Sequence, residues 1–229
     1  MKDCEEIYLR EKLHIHNDCY EEISFHITNR ISDSIPLFST TEFQNASRSI
    51  VLLVKEKRNW DALDLMARYL YEALVILSNR YELSHMALLP VPSRFINRFR
   101  RGFSHLDVVI ERIISLSNNS KSRFSYGDIE SELPVILKSP LALKYSRKVF
   151  DQRGLRGYER MENMNNSMVV KSCRLKYSQV SSLIVIDDVM TTGASMREAM
   201  RALTHSGFTP SGGVSFAATY TGRNVKFSA

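Results

Sequence analysis

Between Met86 and Ala218 the chain alternates short apolar runs with longer polar or helical stretches, and this alternation constrains the fold more than any other feature. The apolar runs have the length and composition of buried strands. They cover residues 86–91, 134–137, 167–170, 183–186 and 213–218. Amphipathic helical segments at 106–116 and 195–203 lie between some of them, as crossover connections between parallel strands require. We expect Gly207 to end the second helix as a left-handed cap, and the polar stretches 117–131 and 144–166 to be loops. The pattern predicts an α/β fold whose mostly parallel central sheet is flanked by helices.

The first 85 residues have a different pattern. They contain no glycine and one proline, Pro36. Apolar side chains recur every three or four positions from residue 63 to residue 77, which predicts an amphipathic helix starting near Asn59. The apolar run 50–54 fits either a strand or the end of another helix. We therefore divide the chain into an N-terminal helical or hood segment, 1–85, and an α/β core, 86–229.

Composition narrows the class of protein without identifying it. A chain of 229 residues with 44% hydrophobic and 24% charged residues can bury a core. No apolar stretch approaches the roughly 18 residues of a membrane span, and residues 1–10 are too charged for a secretory signal, so we expect a cytoplasmic protein with no membrane partner. The net charge of +6 suits an anionic partner, either a polyphosphate or a nucleic acid.

The segment 183–195 contains the residues with the clearest chemistry. A buried strand leads into Asp187 and Asp188, at the end of the strand where open α/β sheets bind ligands. A turn follows, and it precedes the helical segment. Its residues are Thr191, Thr192, Gly193, Ala194 and Ser195. Backbone N–H groups at such a turn and the positive helix end attract a phosphate, and glycine allows a close approach.

An acid pair beside a phosphate site matches a ribose 5-phosphate. The carboxylates of Asp187 and Asp188 can accept hydrogen bonds from ribose hydroxyls while the turn holds the phosphate. Taken singly, each residue has a structural interpretation, such as Asp188 capping a helix, but the whole run favours binding. The sequence contains no P-loop ending and no glycine-rich dinucleotide motif after a strand.

Three stretches resemble known phosphoribosyltransferases. The run LIVIDDVMTTGAS at 183–195 resembles the phosphoribosyl pyrophosphate signature of the type I phosphoribosyltransferases. The runs PVPSRFINRFRRGFSH at 90–105 and RKVFDQRGLRGYERMEN at 147–163 resemble the ComF-like branch of that family. The resemblance extends from about residue 45 to 220. It implies a type I phosphoribosyltransferase fold with a small hood subdomain over the α/β core.

The resemblance also implies roles for individual residues. Asp187 and Asp188 would orient the ribose as catalytic residues, and Thr191 to Ser195 would bind the 5′-phosphate. A loop facing pyrophosphate would consist of Pro92, Ser93 and Arg94. Basic and flexible segments closing over the substrate would contribute Arg101, Arg147, Gln152 and Arg160. Magnesium would be held mainly by the substrate's own oxygens and by water, with no dedicated protein cage.

The sequence departs from the family at three points. ComF-like proteins commonly begin with a four-cysteine zinc module, and Cys4 and Cys19 do not form that pattern, so zinc is not expected. Ser104 and His105 replace an Asn-Gln pair, and a histidine there can replace one amide. Thr191 stands where purine-salvage enzymes have an acid that can take a proton from the base, so purine salvage is disfavoured.

Two hypotheses follow for the function. The first is an enzyme, a pentosyltransferase that moves the phosphoribosyl group between pyrophosphate and an unidentified nitrogen base. The second is a non-catalytic accessory protein of DNA uptake and competence, in which the ribose site is a sensor or a relic. Phosphoribosyl pyrophosphate and an acceptor base are the partners under the first hypothesis. Single-stranded DNA, competence proteins and a second copy of the chain are further candidates.

Overall fold

The structure of the chain, a computed structural model, describes residues 27–32, 35–93, 104–119, 134–147, 149, 157–171, 182–219 and 225–227. Secondary-structure elements are numbered along these residues.

A seven-stranded sheet is the centre of the fold. Its strands, given in chain order, are β1 (Ile27–Ser32), β2 (Ile35–Glu42), β3 (His85–Pro90), β4 (Val135–Lys138), β7 (Ser182–Met190), β8 (Pro210–Ala218) and β9 (Val225–Phe227). The spatial order is β4-β3-β7-β8-β2-β1-β9. The five strands from β4 to β2 are parallel to one another, and β1 and β9 extend the sheet with antiparallel pairs. The predicted α/β class with a mostly parallel central sheet is confirmed.

Helices cover both faces of this sheet. They are α1 (Asn45–Leu52), continued by a π-helical turn (Leu53–Lys57), then α2 (Trp60–Tyr81), α3 (His105–Asn119), α4 (Gly157–Met164) and α5 (Ala194–His205). A separate antiparallel sheet consists of β5 (Ala142–Tyr145) and β6 (Met168–Lys171). In the described part of the chain, no helix is both long enough and apolar enough to cross a membrane.

Strand β7 is buried on both of its faces. Ile184 and Ile186 belong to the apolar core formed with α1, α2 and α3, whereas Leu183 and Val185 belong to a second core with α5. Successive side chains of a strand point to opposite faces, so a strand covered on both sides must be apolar throughout. This explains the uninterrupted apolar run that precedes Asp187.

The path of the chain creates a switch point between β3 and β7. From β3 the chain passes through α3 to β4 on one side, and from β7 it passes through α5 to β8 on the other side. Right-handed crossovers that leave in opposite directions place their helices on opposite faces of the sheet. Accordingly, α3 packs in the first core and α5 in the second. Ligands of open α/β sheets bind at the carboxyl ends of the strands at such a point.

Several local predictions are confirmed. The side chain of Asn59 caps α2 and accepts a hydrogen bond from the Ala62 N–H at 2.8 Å. Gly207, with a φ of 84°, follows the end of α5 in the left-handed conformation expected of a C-terminal cap. The run 50–54 is helical, which was one of its two interpretations.

Other predictions differ from the structure. Residues 35–81 supply β2 to the central sheet and α1 and α2 to its first core, so the described part of the N-terminal segment is integral to the layered fold. The strand predicted at 167–170 exists as β6, but it pairs with β5 outside the central sheet. The segment 144–166, expected as a loop, contains α4. In the segment 117–131, α3 continues to Asn119 and the rest lies outside the described residues.

A buried glutamate on α5 anchors the small sheet. Glu198 is 4% exposed and accepts hydrogen bonds from the N–H groups of Met168 at 2.8 Å and Asn166 at 3.2 Å. Its carboxylate also pairs with Arg201 at 2.8 Å, and the Arg201 guanidinium donates to the Met168 carbonyl at 3.0 Å. The cluster thus fixes the start of β6 on α5. This helix follows the turn at 191–195 that is predicted to bind phosphate, here named the phosphate turn.

We expect Glu198→Ala to lower the free energy of unfolding by about 3 kcal/mol, because it leaves the buried Met168 N–H and the partly buried Asn166 N–H without their acceptor and removes the partner of Arg201. Urea denaturation followed by circular dichroism measures the change. Glu198→Gln retains a carbonyl acceptor and serves as the control, with a smaller loss. Equal stability of Glu198→Ala and the unchanged protein would contradict the anchoring role.

Candidate functional site

The carboxyl ends of β3 and β7 lie side by side. Pro90 pairs with Ile186 in the parallel register, and the Val91 N–H donates to the Ile186 carbonyl at 2.8 Å. Pro92 and Ser93 continue directly from this pair. The structure therefore brings the predicted pyrophosphate loop, as far as Ser93, to the carboxyl end of the strand that carries the acid pair.

The acid pair lies within β7, which continues to Met190. Asp187 is paired with Ser215 of β8. By the alternation of the strand, the Asp188 side chain lies on the face of Ile184 and Ile186, and that of Asp187 lies on the opposite face. The two carboxylates therefore have different surroundings, a distinction that the sequence alone did not reveal.

Asp188 is buried and held by two groups from other elements. Its Oδ2 atom contacts the Nε2 atom of His105 at 2.5 Å and the Nζ atom of Lys55 at 2.6 Å. His105 is the first residue of α3, and Lys55 lies in the π-helical turn after α1. Burial opposes ionisation of Asp188, but the charge of Lys55 and the hydrogen bond from His105 outweigh it and hold the pKa of this carboxyl below its usual range. Asp188 is an anion at neutral pH.

Asp187 has the opposite electrostatic behaviour. It is partly buried, and its Oδ1 atom accepts a hydrogen bond from the Asp188 N–H at 2.9 Å. Burial and the neighbouring charge of Asp188 raise the pKa of Asp187 from 3.8 to about 8, against the smaller effect of Lys55. At neutral pH Asp187 is therefore mostly protonated, and the pair carries about one negative charge.

The turn between β7 and α5 leads directly into the amino end of a helix. Gly193 precedes the helix with a φ of 73°, in the left-handed region. The Thr191 carbonyl accepts from the Thr219 hydroxyl at 3.2 Å, and the Thr192 carbonyl accepts from Arg197 at 2.9 Å. Because the carbonyls are held in this way, the turn is fixed at the amino end of α5, where the helix dipole favours an anion. Ala194 and Ser195 are the first residues of that helix.

Of the residues predicted for the basic and flexible segments, the structure describes only some. Arg147 donates to the carbonyls of Asn163 at 3.0 Å and Asn165 at 2.7 Å, so it connects the two ends of the segment that joins β5 to β6. These two hydrogen bonds are structural. Arg94, Arg101 and Gln152 lie outside the described residues. Arg160 lies in α4, but its side chain is also outside the description.

A cleft of about 520 Å³ adjoins the loop after β3. It lies at the carboxyl ends of β3 and β4 and is closed on one side by β5. Its polar and charged lining residues are Ser93, Ser104, Asp107, Lys138, Ser139, Lys144 and Tyr145. The volume is in the range of small-molecule sites. Lys138 is paired with Asp107 at 3.1 Å and with Glu111 at 3.2 Å. Asp187, Asp188 and the phosphate turn do not line the cleft.

Sequence reasoning singled out His105 but missed Lys55. His105 was the histidine within a site segment, and the structure shows that it contacts Asp188. Lys55 lies in the charged run 55–58, which has the pattern of a solvent-exposed surface. No local signal distinguishes it from its neighbours.

The fold and the site together define an α/β protein with a glycine turn at the amino end of a helix at the switch point of its sheet, beside a buried carboxylate that contacts a histidine and a lysine. A scan against models of protein families finds no match for the chain, and a search of curated proteins finds none.

Proposed function

We propose that the protein is a cytoplasmic phosphoribosyltransferase of the type I class, resembling the ComF-like branch. It binds phosphoribosyl pyrophosphate with magnesium and transfers the phosphoribosyl group to or from an unidentified nitrogen base. One observation carries the proposal: the acid pair of β7 is followed directly by the glycine turn, at the switch point where β3 ends.

The 5′-phosphate, the ribose and the pyrophosphate of the substrate each match a different group of residues at the carboxyl ends of β3 and β7. A 5′-phosphate fits the amino end of α5, where backbone N–H groups from Gly193 to Ser195 can donate once the ligand replaces the 3.4 Å hydrogen bond from the Ala194 N–H to the Thr192 hydroxyl. The ribose hydroxyls can reach Asp187, which lies on the α5 face of the strand. The pyrophosphate fits the loop of Pro92 and Ser93 and the adjoining cleft of about 520 Å³.

The negative charge at the carboxyl end of β7 suits the transfer of a phosphoribosyl group. When pyrophosphate departs, positive charge develops on the ribose ring, and a fixed anion stabilises that charge. Asp188 is ionised and buried near the carboxyl end of β7. Magnesium fits as a substrate-borne ion, because it keeps its waters and prefers the oxygens of the pyrophosphate. When bound, it would neutralise charge on the leaving group.

Isothermal titration with phosphoribosyl pyrophosphate and magnesium tests the proposal. We expect the unchanged protein to bind and Asp187→Asn to weaken binding at least about tenfold, because an amide donates where the ribose hydroxyls need an acceptor. Glu82→Gln also replaces a carboxylate with an amide, but at the amino end of β3, away from the site. This variant should bind phosphoribosyl pyrophosphate normally. No binding by the unchanged protein, or equal binding by Asp187→Asn, would count against the proposal.

A further inference from the structure

We infer that Lys55 and His105 are positioning residues of this site, which act by holding the Asp188 carboxylate in one orientation at the switch point. The inference rests on the proposed function. Both residues contact the same carboxylate oxygen, Lys55 at 2.6 Å and His105 at 2.5 Å. Two donors on one oxygen leave the carboxylate little freedom to rotate.

The two residues connect Asp188 to separate parts of the fold. Lys55 belongs to the π-helical turn that ends the α1 region, and His105 begins α3. Both elements lie on the face of the sheet opposite α5. The cluster therefore ties the carboxyl end of β7 to that face, while the phosphate turn continues from the same strand towards α5. A shift of either donor moves the strand end from which the turn begins.

Stability alone does not account for this arrangement. The His105 residue is 3% exposed, and its Nδ1 atom is buried without a hydrogen-bond partner among the described residues. An unsatisfied buried nitrogen costs free energy, and apolar side chains of similar volume often stabilise a fold better than a buried charged cluster. A polar cluster that is costly to bury and lies at the switch point is better explained by a role in the site.

At positions 55 and 105, some substitutions keep the donor or the charge of the original side chain and others remove it. Gln at position 105 can place an amide N–H where Nε2 of histidine donates, whereas Leu cannot donate. Arg at position 55 retains a cation, whereas Gln removes the charge and keeps most of the chain length. Lys55 has a side-chain exposure of 24%, so Lys55→Gln is expected to fold even where a change at His105 lowers stability.

Titration calorimetry with phosphoribosyl pyrophosphate and magnesium tests the positioning role, with thermal unfolding of each variant measured in parallel. We expect Lys55→Gln and His105→Leu to weaken binding by about tenfold to a hundredfold, and Lys55→Arg and His105→Gln to stay within about threefold of the unchanged protein. In an Asp188→Asn background, Lys55→Gln should have little further effect, because both residues act through the same carboxylate.

The outcomes separate this inference from the proposed function. If the unchanged protein does not bind phosphoribosyl pyrophosphate, both are overturned. If it binds and folded Lys55→Gln binds equally well, the positioning role is overturned and the proposed function stands. A full effect of Lys55→Gln in the Asp188→Asn background shows that Lys55 acts independently of Asp188, and this result also overturns the inference.

Discussion

Gly193→Val is expected to abolish detectable binding of phosphoribosyl pyrophosphate, with a loss of affinity of at least about a hundredfold. Gly193 has a φ of 73°, a conformation that a β-branched residue does not tolerate. A Cβ atom there would meet the nearest neighbouring atoms, in the Met190 side chain, only at 3.8 and 3.9 Å. The effect therefore comes from the backbone, which must leave the left-handed region and move the N–H groups of the phosphate turn. Calorimetric titration measures the loss.

Gly207→Val provides the matched control. Gly207 has a φ of 84° at the other end of the same helix, so valine there imposes a similar backbone strain away from the turn. It should lower thermal stability while the folded protein keeps its affinity. Unchanged affinity of folded Gly193→Val would refute the anion site, and a parallel loss in both variants would assign the effect to instability of α5.

The second large effect is a dependence of binding on pH. Asp187 has a pKa of about 8, and it must lose its proton before both of its oxygens can accept from ribose hydroxyls. Affinity should therefore fall as the pH drops below 8, by roughly 25-fold between pH 8.5 and pH 6.5 for a single group of this pKa. Binding should release close to one proton near pH 7, which calorimetry in buffers of different ionisation enthalpy measures.

Asp187→Asn isolates the contribution of this carboxyl. Titration of the substrate's own phosphates remains in the variant, so the difference between the two pH profiles belongs to Asp187. The same raised pKa has a consequence for stability. The unfolded chain loses the Asp187 proton at lower pH than the folded chain, so the unchanged protein should lose stability relative to Asp187→Asn as the pH rises from 4 to 8. Parallel profiles for the two proteins would contradict the raised pKa.

Features that depend on residues close to one another in the sequence could be predicted from it. Asn59 caps α2, and Gly207 ends α5 in the left-handed conformation. The helix after the phosphate turn begins at Ala194, one residue before the predicted start at residue 195. Each of these depends on contacts within a few residues, where side-chain type and spacing determine the backbone.

Strand β2 shows why part of the sheet was not predicted. It contains Ser39, Thr40 and Thr41, which are buried although they are polar. The Ser39 hydroxyl bonds with that of Ser215 at 2.6 Å, and the Thr40 hydroxyl donates to the Phe216 carbonyl at 2.6 Å. Partners on β8 satisfy these groups, and so they can be buried. Those partners are distant in sequence, so the run lacks the apolar pattern by which buried strands are recognised.

The sequence by itself determined the α/β class, the strand that leads to Asp187 and Asp188, and the glycine turn before α5, because each depends on a local run of residues. Only the tertiary structure decided that Asp187 and Asp188 differ in their ionisation. Asp188 is ionised because Lys55 and His105 reach it from two other elements. Burial, together with the charge of Asp188, raises the pKa of Asp187 and keeps its proton in place. Electrostatic coupling depends on distance in space and on burial, and the packing of α1 and α3 against β7 brings these groups together.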